Sequence, residues 1–474
     1  MRKVAIIGAG STIFCKTLML DIMATKSLED TQFALMAPST RNTSKVKKYA
    51  DKVIAENNLK AETYITTDRR EALKDADYVI STFNIGGLSA FEKDYKIPKK
   101  YGVDQCIGDT LGPGGIFRAL RGIPVAINMA KDMEELCPDA LLLNYVNPMA
   151  MICWSLGKYT DINFVGLCHG VQTTMNLISS YVDVPQEEID FTCAGINHMG
   201  WFIKLEKDGE DLYPILREKF EKPEYYVNEK VRGEVFRNFG YFMTESTGHL
   251  SEYVPWFRKN DKALNLYCDE PSFGGESGAY YKWKKQVAKK YEGKNVLANE
   301  STELPPRSNE YGSYIIEAIE TGNTFKFNGN IINNGMIDNL PDDCCAEGPI
   351  YADGTGLNPV NVGKIPSQCA ALNLTNINVQ RLAVEAAVEG DTEKVVQACA
   401  MDPLTGSKLT LKETRDMVTK MLEAEKQWLP QFEGKDVRET PIINIPEDVE
   451  SVEVPIDPAL EVFHRIEKLA GDED

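Results

Sequence analysis

Only four histidines occur in this chain of 474 residues, so each can be weighed for chemistry. His169 lies in Gly166-Leu167-Cys168-His169-Gly170, directly after a short apolar run, and His198 lies in Asn197-His198-Met199-Gly200. A thiolate at Cys168 and an imidazole at His198, on adjacent loops, could hold a divalent metal and leave positions open for substrate oxygens. Mn²⁺, Fe²⁺, Co²⁺, Ni²⁺ and Zn²⁺ all suit such donors. The same two residues also read as a Cys–His nucleophile pair, or as a core thiol beside a structural imidazole.

A second chemistry is written at the N-terminus. Gly8-Ala9-Gly10-Ser11-Thr12-Ile13 follows a β-branched run and opens a helical stretch. Glycines there let the backbone turn tightly and approach a pyrophosphate, whose charge the helix N-terminus stabilises. The third glycine of the usual dinucleotide fingerprint is replaced by Ile13. An NAD site usually places Asp or Glu after the second strand, yet the text is Ala37-Pro38-Ser39-Thr40-Arg41. A hydroxyl pair followed by Arg is what a 2′-phosphate wants, so NAD and NADP both stay open. Ser81 to Gly87, with Asn84 at its centre, ends a later strand and lines the same crevice.

The elements that must position these groups follow a regular order. Apolar runs at Lys3–Gly8, Phe33–Met36, Tyr78–Ser81, Ala140–Tyr145 and Asn163–Leu167 alternate with helical stretches, among them Thr12–Ala24, Arg69–Lys74 and one beginning near Gly115. Strands alternating with helices at this spacing make βαβ units and a parallel sheet. Beyond Ile196 the alternation stops. Longer helices (308–320, 367–389, 411–427) then mix with short strands such as 325–334. The expected fold is α/β: an N-terminal Rossmann-like doubly wound parallel sheet with a C-terminal α+β substrate and oligomerisation domain, like lactate and malate dehydrogenases. Residues 1–195 form the dinucleotide-binding domain and 196–474 the substrate- and metal-site domain, with a Pro/Glu/Asp-rich tail from Pro441 read as an extended surface segment.

Composition narrows the partners. The chain carries 52 Lys plus Arg against 71 Asp plus Glu, a formal charge of −19, with 43% hydrophobic residues. This is a folded composition, and so negative a chain without a basic run is not built to bind nucleic acid or an anionic membrane surface. A small molecule is the expected partner. With no long apolar segment and eleven scattered cysteines, the chain reads as cytoplasmic with reduced thiols.

The sequence resembles glycoside hydrolase family four, the NAD- and divalent-metal-dependent glycosidases, in its melibiase-type α-galactosidase branch. The resemblance rests on Gly8 to Phe14, Asp109 to Ile116, Asn144 to Met151, Gly166 to Val171, Ala194 to Met199 and Thr244-Glu245-Ser246. It continues through Glu252 to Phe257, Ile337 to Pro341 and Thr375 to Gln380. Such enzymes are an exception to two-carboxylate glycoside hydrolysis. The resemblance implies oxidation of the sugar at C3 by NAD⁺, removal of the acidified C2 proton by a tyrosine, elimination of the aglycone, and addition of water. It implies that residues matching Cys168 and His198 hold the metal, and that Tyr311 is the base, with Tyr314 the competitor one turn on. Asp109 falls in the substrate loop, to protonate the leaving oxygen or orient the metal's water. Asn147 is expected at the substrate hydroxyls near the nicotinamide, and His249 at substrate or behind the metal.

His169 stands where the phospho-sugar branches carry Asn or Asp, which implies a non-phosphorylated glycoside. Gly170 stands where the melibiase type carries Ser, so α-glucosides and α-glucuronides remain alternatives. A homodimer or homotetramer is implied as well. The competing reading from another class is an NAD(P)-dependent sugar or 2-hydroxy-acid dehydrogenase.

Overall fold

The fold is taken from a computed structural model, which describes all residues except Ser246, Glu292, Gly293, Ser451, Glu453, Ile456, Leu460, Phe463, His464 and 467–474. His464, the fourth histidine, in the tail after Pro441, lies outside the described residues. Contacts divide the chain into Met1–Val437 and a separate unit, Arg438–Asp474. The described residues of the second unit make a turn in which Val449 donates to the Pro446 carbonyl.

The first unit is built on one sheet of twelve strands. Its parallel half comprises β1 (Lys3–Ile7), β2 (Gln32–Met36), β3 (Glu62–Thr66), β4 (Tyr78–Ser81), β5 (Leu141–Asn144) and β6 (Asn163–Gly166) in the order β3-β2-β1-β4-β5-β6. β1, β4 and β5 are buried almost throughout, which is why they read as continuous apolar runs. β3 was not expected from the sequence. It is the edge strand, Glu-Thr-Tyr-Ile-Thr, half exposed, and its polar residues hide the strand pattern.

The sheet then continues without a break into the second half. β7 (Asp190–Ile196), β8 (Met199–Lys207), β9 (Glu210–Asp211), β10 (Phe325–Ile332), β11 (Cys345–Asp353) and β12 (Gly356–Pro359) pair antiparallel, and the order β6-β10-β11-β7-β8-β9 joins them to the parallel half. Register places Gly166, Asn330, Glu347 and Gly195 side by side across β6, β10, β11 and β7. Strands far apart in sequence therefore end together, and the loops after β6 and β7 carry Cys168 and His198 to neighbouring places.

Helices cover both faces. Gly112–Leu136 is 25 residues long and begins earlier than its apolar periodicity suggests, because Gly112-Pro113-Gly114-Gly115 already form its first turn. Gly114 and Gly115 are held so tightly that an added Cβ would meet the Gly108 carbonyl oxygen and the Thr110 carbonyl carbon, each at 2.5 Å. The loop Asp109–Leu111 is thereby clamped against the helix start. Ser367–Glu389 packs its buried face, Cys369 to Ala387, against this helix. Among the described residues no helix is long and apolar enough to cross a membrane, and all eleven cysteines are free thiols.

Candidate active site

The glycine turn is built by the sheet edge. Gly8 and Ala9 donate to the Met36 carbonyl at 2.9 and 3.0 Å, which fastens the turn between β1 and β2. Gly8 has φ +101, and a Cβ there would lie 2.6 Å from the Phe83 backbone nitrogen. Only glycine fits. Ser11 gives the helix Thr12–Met23 no side-chain cap, so its first N–H groups stay available to an anion. Thr12 and exposed Ile13 open that helix, and Asn84 is exposed in the loop after β4. The cradle fits a dinucleotide pyrophosphate.

Cys168 follows β6 and His198 forms the tight turn between β7 and β8 at φ +64, so Cys168 Sγ comes to 3.6 Å from His198 Nε2. Two further groups join them. Glu245 contacts His198 Nδ1 through Oε2 and lies 3.4 Å from His249 Nδ1, while the Nδ1 atoms of His198 and His249 are 3.0 Å apart. Ligand atoms of His198, Glu245 and His249 all fall within 4.8 Å of one another. Two imidazoles, a carboxylate and an adjacent thiol are the donor set of a divalent transition metal. Burial alone would push the His198 imidazole down, but the Glu245 carboxylate, Tyr253 and Cys168 hold it well above its ordinary value. Glu245 is held well below the carboxylate range, because the two imidazoles outweigh its burial. Two imidazole nitrogens facing each other at 3.0 Å beside one carboxylate are donors that a divalent cation binds by taking the place of a proton.

The helix Thr247–Tyr253 supplies more of the site. His249 and Tyr253 are four residues apart and share a face. Thr110 Oγ1 is 2.8 Å from His249 Nε2 and accepts from the Tyr253 hydroxyl at 2.6 Å. Tyr253 stacks on His198. Asp109 Oδ1 lies 3.9 Å from His249 Nε2, and its Oδ2 accepts from Arg118 at 3.0 Å and from Asn147 Nδ2 at 3.4 Å. Arg118 also donates to the Asn147 carbonyl at 3.1 Å, so the loops after β5 and before Gly112 are locked together.

His169 pairs with Glu310 through Nε2 and Oε1 at 2.7 Å, and this bond raises the imidazole against the opposing effect of burial. The other oxygen of Glu310 is buried with no partner among the described atoms. In the row across the sheet, Asn330 Nδ2 bridges the Gly166 carbonyl and Glu347 Oε1, each at 3.3 Å. Burial pushes the Glu347 carboxyl up to about 7, with His198 pulling the other way.

Of the two tyrosines expected as base, Tyr311 lies close enough to Glu347 and Cys168 for both to act on its hydroxyl. Tyr311 is buried at the start of Tyr311–Thr321 against Phe325 and Phe327, and its hydroxyl takes a bond from the Asn328 amide. Tyr314 stacks on Phe325 under the Arg307 guanidinium. Among the described hydrogen bonds and ring contacts, neither reaches His198, Glu245, His249 or Asp109. Sequence reasoning gave no role to Glu245, Tyr253, Thr110, Arg118, Glu310 or Glu347. One signal could have found two of them: Glu245, His249 and Tyr253 recur at intervals of four, the spacing of one helical face.

Known proteins of the same build place this arrangement. Residues 3–184 match the model of the family 4 glycosyl hydrolases, and residues 193–405 match that family's C-terminal domain. An α-galactosidase of Rhizobium meliloti is 41% identical over 438 residues, 91% of this chain and 89% of that protein. An α-galactosidase of Bacillus subtilis is 39% identical over 439 residues, 91% of this chain and 100% of that one. Among solved structures, a protein of Bacillus subtilis superimposes with a TM-score of 0.79 at 25% identity, covering 89% of this chain and 100% of its own. The 6-phospho-β-glucosidase of Thermotoga maritima, solved with manganese, NAD⁺ and glucose-6-phosphate, shares the fold at a TM-score of 0.73 and 21% identity, over 90% of this chain and 99% of its own. With both family regions matched over most of its length, the chain belongs to glycosyl hydrolase family 4.

Proposed function

We propose that this protein is an α-galactosidase acting on non-phosphorylated α-galactosides with the help of a nicotinamide dinucleotide and a divalent metal, manganese first. The observation that carries the reading is the meeting of Cys168, His198, Glu245 and His249 with Asp109 and Tyr253, in a chain whose full-length relatives include α-galactosidases. Bound there, the dinucleotide supplies a hydride acceptor and the metal a Lewis acid, which together make a neighbouring sugar C–H acidic.

The chain's own residues do the rest. Gly8, Gly10, Ser11, Thr12 and Ile13 hold the pyrophosphate side of the cofactor, and Asn84 and Asn147 frame its nicotinamide side. Cys168 and His198, joined by Glu245 and His249, hold the metal. Asp109, fixed by Arg118 and Asn147, orients a sugar hydroxyl and the leaving oxygen. His169 and the unpartnered oxygen of Glu310 receive other hydroxyls. Tyr253 is better placed than Tyr311 to take the C2 proton, because its hydroxyl already joins a chain through Thr110 to His249 along which that proton can move. Region 1–195 supplies the dinucleotide turn together with Asp109, Cys168 and His169, and region 196–474 completes the metal and substrate site with His198, Glu245, His249 and Tyr253. The reading also places the enzyme in the cytoplasm as a homo-oligomer, an assembly checked by light scattering.

The test is p-nitrophenol release from its α-galactoside, α-glucoside and α-glucuronide, with dinucleotide and Mn²⁺ each supplied or omitted. Release from the α-galactoside that needs both additions, without net build-up of reduced cofactor, is the expected result. Reduced cofactor accumulating on a free sugar, with all three glycosides untouched, would replace the proposal with a dehydrogenase.

A further inference from the structure

Glu252 is a buried carboxylate to which the chemistry above gives no role. It shares the short helix Thr247–Tyr253 with two residues of the site, His249 and Tyr253. Its oxygens accept from three consecutive backbone amides of a distant segment. Oε1 takes the N–H groups of Cys106 and Ile107 at 2.6 and 2.5 Å, and Oε2 takes that of Gly108 at 2.9 Å. Successive amides aimed at one point form a nest for an anion, and this carboxylate fills it. Gln105 Nε2 reaches the same Oε2 at 3.3 Å and the Leu111 carbonyl at 3.2 Å.

The segment held in this way runs directly into the site. Gly108, at φ +67, turns the chain from the last bonded amide into Asp109. Thr110 follows, and its Oγ1 meets both His249 Nε2 and the Tyr253 hydroxyl. The loop that carries Asp109 and Thr110 is therefore hung from the helix whose phenol and imidazole those residues serve. Without the carboxylate, the buried amides of Cys106 and Gly108 have no partner, and the loop must move to find one.

We infer that Glu252 is a positioning residue for the proton chain from Tyr253 through Thr110 to His249, acting by holding the 106–108 amides and so fixing Thr110 and Asp109. The inference rests on the reading of Tyr253 as the base and names the group that keeps the partner of that base in place. Glu252→Gln keeps the size of the side chain but turns one acceptor into an NH₂ group that faces backbone N–H donors.

The experiment compares α-galactoside kinetics and Mn²⁺ affinity in the wild-type chain, Glu252→Gln, Tyr253→Phe and the double variant. Glu252→Gln is expected to lower kcat by about 10²-fold, the cost of a small misplacement, with KM and Mn²⁺ affinity within about threefold of wild type. In the Tyr253→Phe background the same substitution is expected to change kcat by less than about threefold, because the chain it supports is already cut. A merely structural carboxylate would lower both backgrounds alike, and that result overturns the inference. So does near-normal kcat in Glu252→Gln, or a fall in Mn²⁺ affinity that matches the fall in kcat. If Glu252→Gln does not fold, Gln105→Leu, which removes the bridge from Glu252 to Leu111, carries the same comparison with an expected loss of about tenfold. Near-normal turnover in Tyr253→Phe removes the base reading and the inference with it, while galactoside cleavage by the wild-type chain still upholds the proposed function.

Discussion

The ring of Tyr253 lies nearly parallel to the imidazole of His198, with centroids 6.0 Å apart and planes 9° from coplanar, while its hydroxyl is bonded to Thr110. A phenol in this position touches both the metal donors and the loop that carries Asp109. Burial raises it, and the neighbouring His198 pulls it down. Tyr253→Phe removes only the hydroxyl and keeps the ring stacked. Turnover of the α-galactoside is expected to fall by about 10²- to 10⁴-fold, with cofactor and metal binding intact. Tyr311→Phe is expected to leave turnover close to that of the wild-type chain. The reverse pattern in the two variants would return the role of base to Tyr311.

The metal donors predict a graded loss. Cys168→Ser, His198→Ala, Glu245→Gln and His249→Ala each remove one group from a cluster that the fold assembles from three separate segments of the chain. Mn²⁺ affinity, measured by calorimetry on the stripped protein, is expected to drop by about 100-fold or more for a true ligand and by about 10- to 100-fold for a residue that only orients one. Cys168 lies beside His198 but outside the trio of mutually close ligand atoms, so its variant decides whether the thiol is a ligand or a neighbour. Full affinity in Cys168→Ser would assign the metal to His198, Glu245 and His249.

The legible parts of this site are those where one local physical demand fixes the residue type. The turn after β1 needs glycine at position 8 whatever else the chain does, and a doubly buried strand such as β4 needs an unbroken apolar run. Cys168 and His198 could be suspected because rare residue types stood in polar, glycine-rich surroundings. Glu245 is legible only through its four-residue spacing to His249 and Tyr253, since a carboxylate before a helix otherwise reads as an ordinary first-turn acid. Tyr253 sits among Val254, Trp256 and Phe257, where a tyrosine reads as core. The nearness of β6 and β7 was hidden for a different reason. It depends on β10 and β11 inserting between them from more than a hundred residues downstream, and no local pattern encodes that pairing.

A buried ion triad gives a stability prediction away from the chemistry. Arg121 on Gly112–Leu136 holds both oxygens of Asp94, at 2.9 and 2.6 Å, and also contacts Glu425, and all three side chains are at most 1% exposed. The triad ties three helices, Gly87–Lys100, Gly112–Leu136 and Leu411–Glu425. Arg121→Met leaves two carboxylates facing each other without water. The cost is expected to be about 3–5 kcal/mol, read as a fall in the midpoint of guanidinium unfolding. A loss below about 1 kcal/mol would mean that the two acids share a proton and need no guanidinium.

The last prediction concerns pH. Asp402 is fully buried at the start of Pro403–Gly406, where one oxygen accepts from the amide and the hydroxyl of Thr405 at 2.8 and 2.7 Å. Burial pushes its carboxyl up from 3.8 to about 6, despite those bonds. The folded state thus binds a proton that the unfolded chain releases at lower pH. Below pH 4 both states are protonated and folding loses nothing. Between pH 4 and 6 the unfolded chain gains from ionising while the folded one cannot, so stability falls as pH rises, and above about pH 6 the loss is complete. A shift of this size corresponds to at most about 3 kcal/mol. Asp402→Asn keeps an acceptor for Thr405 and removes the titration. Urea unfolding at pH 4 and pH 7 should therefore show the variant gaining on the wild-type chain by up to that amount as pH rises. An unchanged difference at the two pH values would mean that the Asp402 carboxyl titrates as an ordinary one.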